Sequence, residues 1–490
     1  MTWTDFPIIA PLVAALLVAV AIIGVDMIAP GRSRPAIAVA LVGLGIVAIA
    51  IVWTDQLVRT GQASGVAFGG AYTVDPLATY LDLVFVAIVA LTVLFGPDYL
   101  GARDLPVAEY AAVLVFAMSG AMLIAGSSDL LVLFVALELM VLPGYLLAGF
   151  AKQDALSTEG AIKYFLLGSF SSAILLFGLA YIWGITGTTR IDGVAAALAS
   201  AHGVSPALAL GMALLTTGVA FKLAAVPFHY WTPDAYQGSP TPVTGFLSVG
   251  PKVGAIAIVL RLFVEALGPV HVDWMPVLAV LAVLTMTLGN LVAVSQTNVK
   301  RMLAYSSIAH TGYILVGFAV YANDPSGEGL TAVLFYAVAY AFMNLGAFAV
   351  VAALQKRPGV TSQLDTFAGL GRREPLLGLL MTLFLLSLTG IPPTAGFFAK
   401  ALIILSAVQA GAPILGLAVV LNAIVAAFYY LRVVVYMYMR EPQGEPAAVS
   451  HGALLRVGLA IAAAMTILIG LLPGPLIDAA TTAARSLLPV

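Results

Sequence analysis

The chain has 490 residues, 62% of them hydrophobic and 9% charged, with a mean hydropathy of +1.07 and a formal net charge of −2. A soluble domain carries about a quarter charged residues, so the composition is that of an integral membrane protein, and the charge balance gives no nucleic-acid partner a foothold. Cysteine is absent, which excludes disulfides, Cys-ligated iron–sulfur clusters and thiol catalysis within this chain.

The apolar stretches suit membrane helices, since barrel strands would be half as long and would alternate in polarity. Hydropathy predicts about fourteen spans, near 6–28, 35–53, 74–95, 108–125, 129–150, 160–184, 205–230, 241–266, 275–295, 302–322, 329–354, 375–410, 412–438 and 453–474. The first lacks a preceding basic region and a small-residue cleavage site, so it is expected to be a retained helix and not a signal peptide. In the fifth span, Glu138 lies within LFVALELMVLPGY, about 13 Å and 18 Å from the two ends at the helical rise. The sixth carries Lys163 four residues after Glu159, where an i,i+4 pair or a snorkelling side chain would account for it. A loop follows whose IDGVAAALASA reads as a small surface helix.

The seventh and eighth spans are joined by TTGVAFKLAAVPFHYWTPDAYQGSPTPVTGFLSVGPK, which buries Lys222 and Lys252 among apolar residues and prolines. A lysine at the centre of a membrane helix costs about 2.5–3.5 kcal/mol, so two in one hairpin need a reason. Pro227 removes a donor and frees the carbonyl of Leu223. In the tenth span SSIAHT is polar, and His310, with Tyr305, Ser306, Ser307, Thr311 and the earlier His229, is a candidate relay or a hydrogen-bonded structural group. The twelfth span is too long for one crossing. Gly390-Ile391-Pro392-Pro393 divides it into two half-helices, frees the carbonyls of Leu388 and Thr389, and precedes Lys400. Such unwound backbone persists at membrane depth only against protein or a wet cavity.

Each buried charge thus has a nearby proline: Glu138 with Pro143, Lys222 with Pro227, Lys252 with Pro251, Lys400 with Pro392 and Pro393. Burial and neighbouring opposite charge act against each other on such groups. A Glu138–Lys222 pair would keep both ionised, and separating them would release a proton. The four groups share a depth, so they predict a row along the membrane plane, reached from water by side branches. Asp82 and Asn344 are expected to be satisfied by neighbouring helices, Arg261, Glu265 and Arg432 to be interfacial, and Trp183, Trp231 and Trp274 to form an aromatic belt.

Loop charge orients the chain. With the N-terminus outside, the inner loops collect Arg32, Arg34, Arg103, Lys152, Lys300, Arg301, Lys356, Arg357, Arg372, Arg373, Arg440 and Arg456, while Arg59, Arg190 and Arg485 stay outside. An even number of spans then puts both ends on the outer side.

PFHYWTPDAYQGSPTPVTGFLSVGPK, KRMLAYSSIAHTGYILVG and LTGIPPTAGFFAK resemble the signatures of the antiporter-like membrane subunits of NADH-quinone oxidoreductase, respiratory complex I. PVTGFLSVGPK and EGAIKYFLLGSFSSAILLFGLAYIWGITGTT are most similar to its subunit N branch. The resemblance covers most of the chain. It implies an all-α polytopic fold with helices 7 and 12 broken and two inverted five-helix units. The expected units are residues 1–107 (three N-terminal helices), 108–267 and 275–440 (the five-helix units), and 450–490 (the last helix and tail). It implies proton transfer by Glu138, Lys222, Lys252 and Lys400, with Lys163, His229 and His310 as further candidates. It implies no cofactor here, with NADH, FMN, iron–sulfur clusters and quinone on other subunits. The implied partners are neighbouring antiporter-like and small membrane subunits and the lipid bilayer, in a bacterial plasma membrane. A subunit of a multi-chain sodium/proton antiporter and a passive membrane scaffold remain the alternatives.

Overall fold

The computed structural model describes residues 5–201, 203–323, 327–356, 359–441 and 451–488; Arg357, counted above among the basic loop residues, lies outside them. The helices are α1 (Phe6–Ile28), α2 (Ser33–Arg59), α3 (Pro76–Gly101), α4 (Val107–Ala125), α5 (Leu130–Ala148), α6 (Ala155–Thr186), α7 (Ile191–Ala199), α8 (Pro206–Leu223), α9 (Trp231–Gly238) and α10 (Thr241–Val259), which runs on as a π-helical stretch over Leu260–Ala266. They continue with α11 (His271–Ser295), α12 (Val299–Val320), α13 (Glu328–Leu354), α14 (Leu370–Arg373), α15 (Pro375–Thr389), α16 (Ala395–Gln409), α17 (Pro413–Met439), α18 (Ala453–Leu471) and α19 (Gly474–Arg485). Among the described residues 13 helical segments are long and apolar enough to cross a membrane, and the half-helices α15 and α16 together supply one more crossing. This agrees with the spans expected from hydropathy.

Local chemistry sets the helix starts. Asp75, Asp129, Asp154, Ser205 and Asn298 each cap a helix by accepting a backbone N–H of its first turn. Pro76, Pro206, Pro375 and Pro413 occupy first-turn positions, where a missing N–H leaves nothing unpaired. The polar SSIAHT run does not interrupt α12, which is helical throughout.

α10, α12 and α13 form the centre and are buried along nearly their whole length. α1, α2, α6 and α17 line the outside, presenting Leu17, Ile49, Phe170 and Ile424 outward, as a lipid-facing surface requires. The two faces of the bundle are fixed by loop contacts. On one face the two-stranded hairpin Val66–Ala67/Tyr72–Thr73 meets the loop before α7, where Arg190 donates to Gly69 O and Thr189 donates to Asp129 Oδ2 at 2.6 Å. There Arg190 also forks onto Asp192, which holds that carboxyl below the usual carboxylate range. On the opposite, basic face Asp98 binds Lys356 and Gly452 N, and His451 binds Glu374.

Three expectations about placement fail here. Trp231 and Trp274 are buried, stacking on Tyr164 and Tyr321 respectively, so of the expected belt only Trp183 faces outward. Arg261 is not interfacial but 1% exposed, because Asp75, Glu265 and the Ala125 carbonyl absorb its donors. Lys300 is not a loop residue: it is buried and donates at 2.5 Å to Ser239 O beyond the end of α9. The tail contains the amphipathic helix α19, whose Ala480, Ala483 and Ala484 are buried.

Candidate functional site

Both helix breaks end in the same way. After α8, Ala224 is left-handed (φ 58°), Ala224 N–H bonds Phe221 O, and Ala225 N–H bonds Ala220 O. After α15, Gly390 is left-handed (φ 95°), Gly390 N–H bonds Ser387 O, and Ile391 N–H bonds Leu386 O. This cap satisfies two carbonyls from within and leaves the last ones to outside donors.

The carbonyls freed by proline find those donors. Leu223 O accepts from the Thr311 hydroxyl at 2.8 Å. Leu247 O, which Pro251 leaves unpaired in α10, accepts from the Tyr236 hydroxyl at 3.1 Å. Leu388 O and Thr389 O both accept from Lys400 Nζ, at 2.9 and 2.7 Å. Thr311→Val preserves shape but strands Leu223 O, so thermal unfolding should register a loss of about 1–3 kcal/mol, with Thr311→Ser close to the unsubstituted chain. Equal stability of all three would mean that the hydroxyl does not close the break.

The three deep lysines share one arrangement. Lys222 Nζ donates to Ser172 Oγ at 2.9 Å and to Gly168 O at 3.4 Å. Lys252 Nζ donates to Ser307 Oγ at 2.6 Å and Ser307 O at 2.5 Å. Lys400 sits on the two carbonyls of its own break, with Nζ 5.0 Å from the Tyr313 ring centroid. All three are buried, and among the described residues none forms an ion pair. The expected Glu138–Lys222 pair is therefore not a contact. The buried Oε1 of Glu138 has no hydrogen-bond partner among the described residues.

α12 connects the lysines. Ser306, Ser307, His310, Thr311 and Tyr313 recur at helical spacing on the buried helix. Thr311 Oγ1 contacts both Leu223 O, beside Lys222, and Ser307 O, which holds Lys252. His310 lies within the fields of Lys252 and Lys400. Its Nδ1 pairs with the Tyr336 hydroxyl at 2.6 Å and its Nε2 with the Tyr430 hydroxyl at 3.2 Å, and Tyr430 is shared with Ser306. Asn290 gathers Tyr313, Tyr429 and Asn422 beside it.

The remaining candidates divide. Lys163 is 42% exposed and bonds Glu159 and Asp234, each at 2.7 Å, outside the lysine row. His229, in the segment between α8 and α9, is buried and stacks on Tyr230, and its Nδ1 has no hydrogen-bond partner among the described residues. Asn344 is half satisfied: its Nδ2 donates to Ser248 Oγ at 2.6 Å, while its buried Oδ1 has no partner. Asp82 is not satisfied: its buried Oδ1 has no partner. Sequence reasoning missed Ser172, Tyr336, Tyr430, Asn290 and Asp234. The adjacent Tyr429 and Tyr430, and Tyr336 with Tyr340 four residues on, were visible signals in apolar helices.

Comparison with known proteins follows the same lines. Residues 127–426 match the family model described as NADH:quinone oxidoreductase/Mrp antiporter, TM. A Trichlorobacter lovleyi protein called NADH-quinone oxidoreductase subunit N is 40% identical over 98% of this chain and 96% of its own length. A Chloroflexus aggregans protein of the same name is 42% identical over 96% and 95%. A chain of respiratory complex I from Thermus thermophilus with bound aureothin superposes with a TM-score of 0.79 at 32% identity, covering 96% of this chain and 98% of that one. The chain therefore belongs to the NADH:quinone oxidoreductase/Mrp antiporter membrane family, on the branch whose curated members are called NADH-quinone oxidoreductase subunit N.

Proposed function

We propose that this chain translocates protons as a membrane-arm subunit of an NADH:quinone oxidoreductase, through Glu138, Lys222, Lys252, His310 and Lys400. The observation that carries the reading is the set of three buried ammonium groups held by hydroxyls and carbonyls, without carboxylate partners, along one polar stripe of α12. A lysine fixed in an ion pair is locked in its charged form, whereas one held by neutral acceptors keeps its donor sites satisfied and can still exchange a proton. Hydride and electron chemistry, with NADH, FMN, iron–sulfur clusters and quinone, belongs to other subunits of the assembly, among them neighbouring antiporter-like and small membrane subunits.

The distribution of Lys and Arg favours a bacterial plasma membrane with the basic face inside and the α7 face, bearing both chain ends, outside. The two breaks, each a capped stop beside a buried lysine, support the division into two five-helix units of opposite direction at 108–267 and 275–440. Lys163, with Glu159, Asp234 and Arg301, serves the inner face, and His229 takes a structural part beside the first break.

Moving one charge against 100 mV requires about 2.3 kcal/mol, which the assembly must draw from NADH oxidation. In vesicles carrying the assembled complex and no sodium, NADH should drive proton uptake, and Lys222→Ala should lower it strongly with assembly intact. Uptake that requires sodium exchange would favour the antiporter reading. Undiminished uptake in the Lys222→Ala complex would reduce the chain to a scaffold.

A further inference from the structure

A second group of buried charge sits between the lysine row and the α7 face. Arg261 lies on the π-helical turn that extends α10, and wide turns of this kind often mark functional positions. Its guanidinium bridges Asp75 at 2.8 Å and Glu265 at 3.0 Å, and it donates to Ala125 O through Nε and one terminal nitrogen. Asp75 is committed twice, since its other oxygen caps α3 through Ala78 N–H at 2.7 Å. One cation thus serves two carboxylates and is fully used.

Asp82 is the third carboxyl and has no such support. It lies seven residues into α3, about 10 Å deeper than Asp75 along the helix. It is 4% exposed, and its Oδ1 lacks any hydrogen-bond partner. The charged groups whose fields reach it are Asp75 and Arg261, and the Tyr72 hydroxyl, also buried and unpartnered, stands within the same fields. Exposure rises outward from Asp82 to Asp75 and Glu265, at 22% and 24%. Inward from Asp82 lies a small apolar cavity bounded by Phe85, Met118, Met140, Phe246 and Gly250. Met140 is two residues from Glu138, and Gly250 two from Lys252. The cavity offers about 10 Å³ to the centre of a water molecule, close to the least that one water needs. An apolar cavity of this size stays dry at rest, so it insulates Asp82 from the row until a movement admits water.

We infer that Asp82 is the outer-side proton acceptor of the lysine row. This rests on the proton-translocation reading above. A proton leaves a lysine ammonium of the row as the Asp82 carboxylate becomes a carboxylic acid, so the amine and the acid are both neutral after the step. Asp82 then gives the proton up outward through water drawn in beside the Tyr72 hydroxyl, which is not hydrogen-bonded to it at rest, toward Asp75 and Glu265. The Arg261 bridge fixes the two outer carboxylates in place and presents a positive charge that stops the proton from being trapped on them.

The test uses the assembled complex in vesicles. Asp82→Asn keeps the shape and removes the titration, so proton release at the outer face should slow by about tenfold or more. The protonated-carboxyl band in infrared difference spectra between two pH values should vanish with it. Asp82→Glu, which restores a carboxyl, should recover most of the rate. Unchanged release in Asp82→Asn beside an inactive Lys252→Met complex would overturn this inference and leave the translocation reading standing; unchanged release in both would overturn that reading first. An assembled Asp82→Glu complex as slow as Asp82→Asn would mean that packing, not the carboxyl, sets the rate, and would equally overturn the inference.

Discussion

Lys252→Met is expected to stop proton transfer while leaving the subunit as stable as before, or slightly more so. The side chain is fully buried, and its ammonium is held only by the hydroxyl and carbonyl of Ser307. Methionine fills nearly the same space without charge. Replacing a buried ionic group by an apolar one of similar volume is often neutral or stabilising, because a desolvation penalty disappears with the charge. Ser307 Oγ keeps its freedom to turn toward a carbonyl of its own helix. The loss falls on transport: a positioned proton-transfer group contributes about 10²–10⁴-fold to its step, and Lys252 reaches the α12 stripe from α10 at Ser307. Proton uptake per NADH oxidised, read beside the unfolding temperature of the purified complex, separates the two effects. A Lys252→Met complex that pumps normally would remove Lys252 from the pathway, and one that unfolds early would make it a structural anchor.

Lys400→Ala is expected to damage both transport and stability, unlike Lys252→Met. Lys400 Nζ closes the break between α15 and α16 by donating to Leu388 O and Thr389 O. Truncation leaves two buried carbonyls unpaired, at about 1–3 kcal/mol each, and a cavity beside Tyr313 adds to that. Lys400→Arg should recover the stability by restoring donors. It should not recover transport, since a guanidinium stays protonated at every accessible pH. If Lys400→Ala unfolds at the unsubstituted temperature, the carbonyls have another partner and the lysine does not hold the break. If Lys400→Arg pumps, the position needs a charge and not a titration.

The helices were legible because a bilayer permits few alternatives: about twenty apolar residues become a crossing helix. The breaks were legible for a reason just as local. A proline at 227, 392 or 393 frees the carbonyl four residues back whatever surrounds it, and Leu223, Leu388 and Thr389 are indeed bonded from outside their helix ladders. What fills those vacancies was not legible, because Thr311 comes from a helix 88 residues away in sequence. The same limit explains Glu138 and Lys222. Their depths along α5 and α8 could be estimated, but whether the side chains meet depends on the rotation and offset of two helices, which no local pattern encodes. Arg261 and Trp231 defeat a sequence-based placement because nearness to a helix end is not nearness to water. Arg261 is instead enclosed by Asp75 and Glu265, and Trp231 fills the space opened by the first break, donating to Phe221 O at 3.2 Å.

The two breaks are closed by different kinds of donor, and this sets how each responds to its lysine. At α8 the free carbonyl rests on Thr311, a neutral hydroxyl whose grip does not vary with acidity, so Lys222 can lose its proton without loosening its own hinge. At α15 the latch is a lysine. An ammonium has three donors and bonds more strongly than a neutral amine, so deprotonation of Lys400 would slacken two hydrogen bonds to backbone carbonyls at once and reprotonation would tighten them. One half of the molecule keeps charge and mechanics apart, and the other makes them a single event.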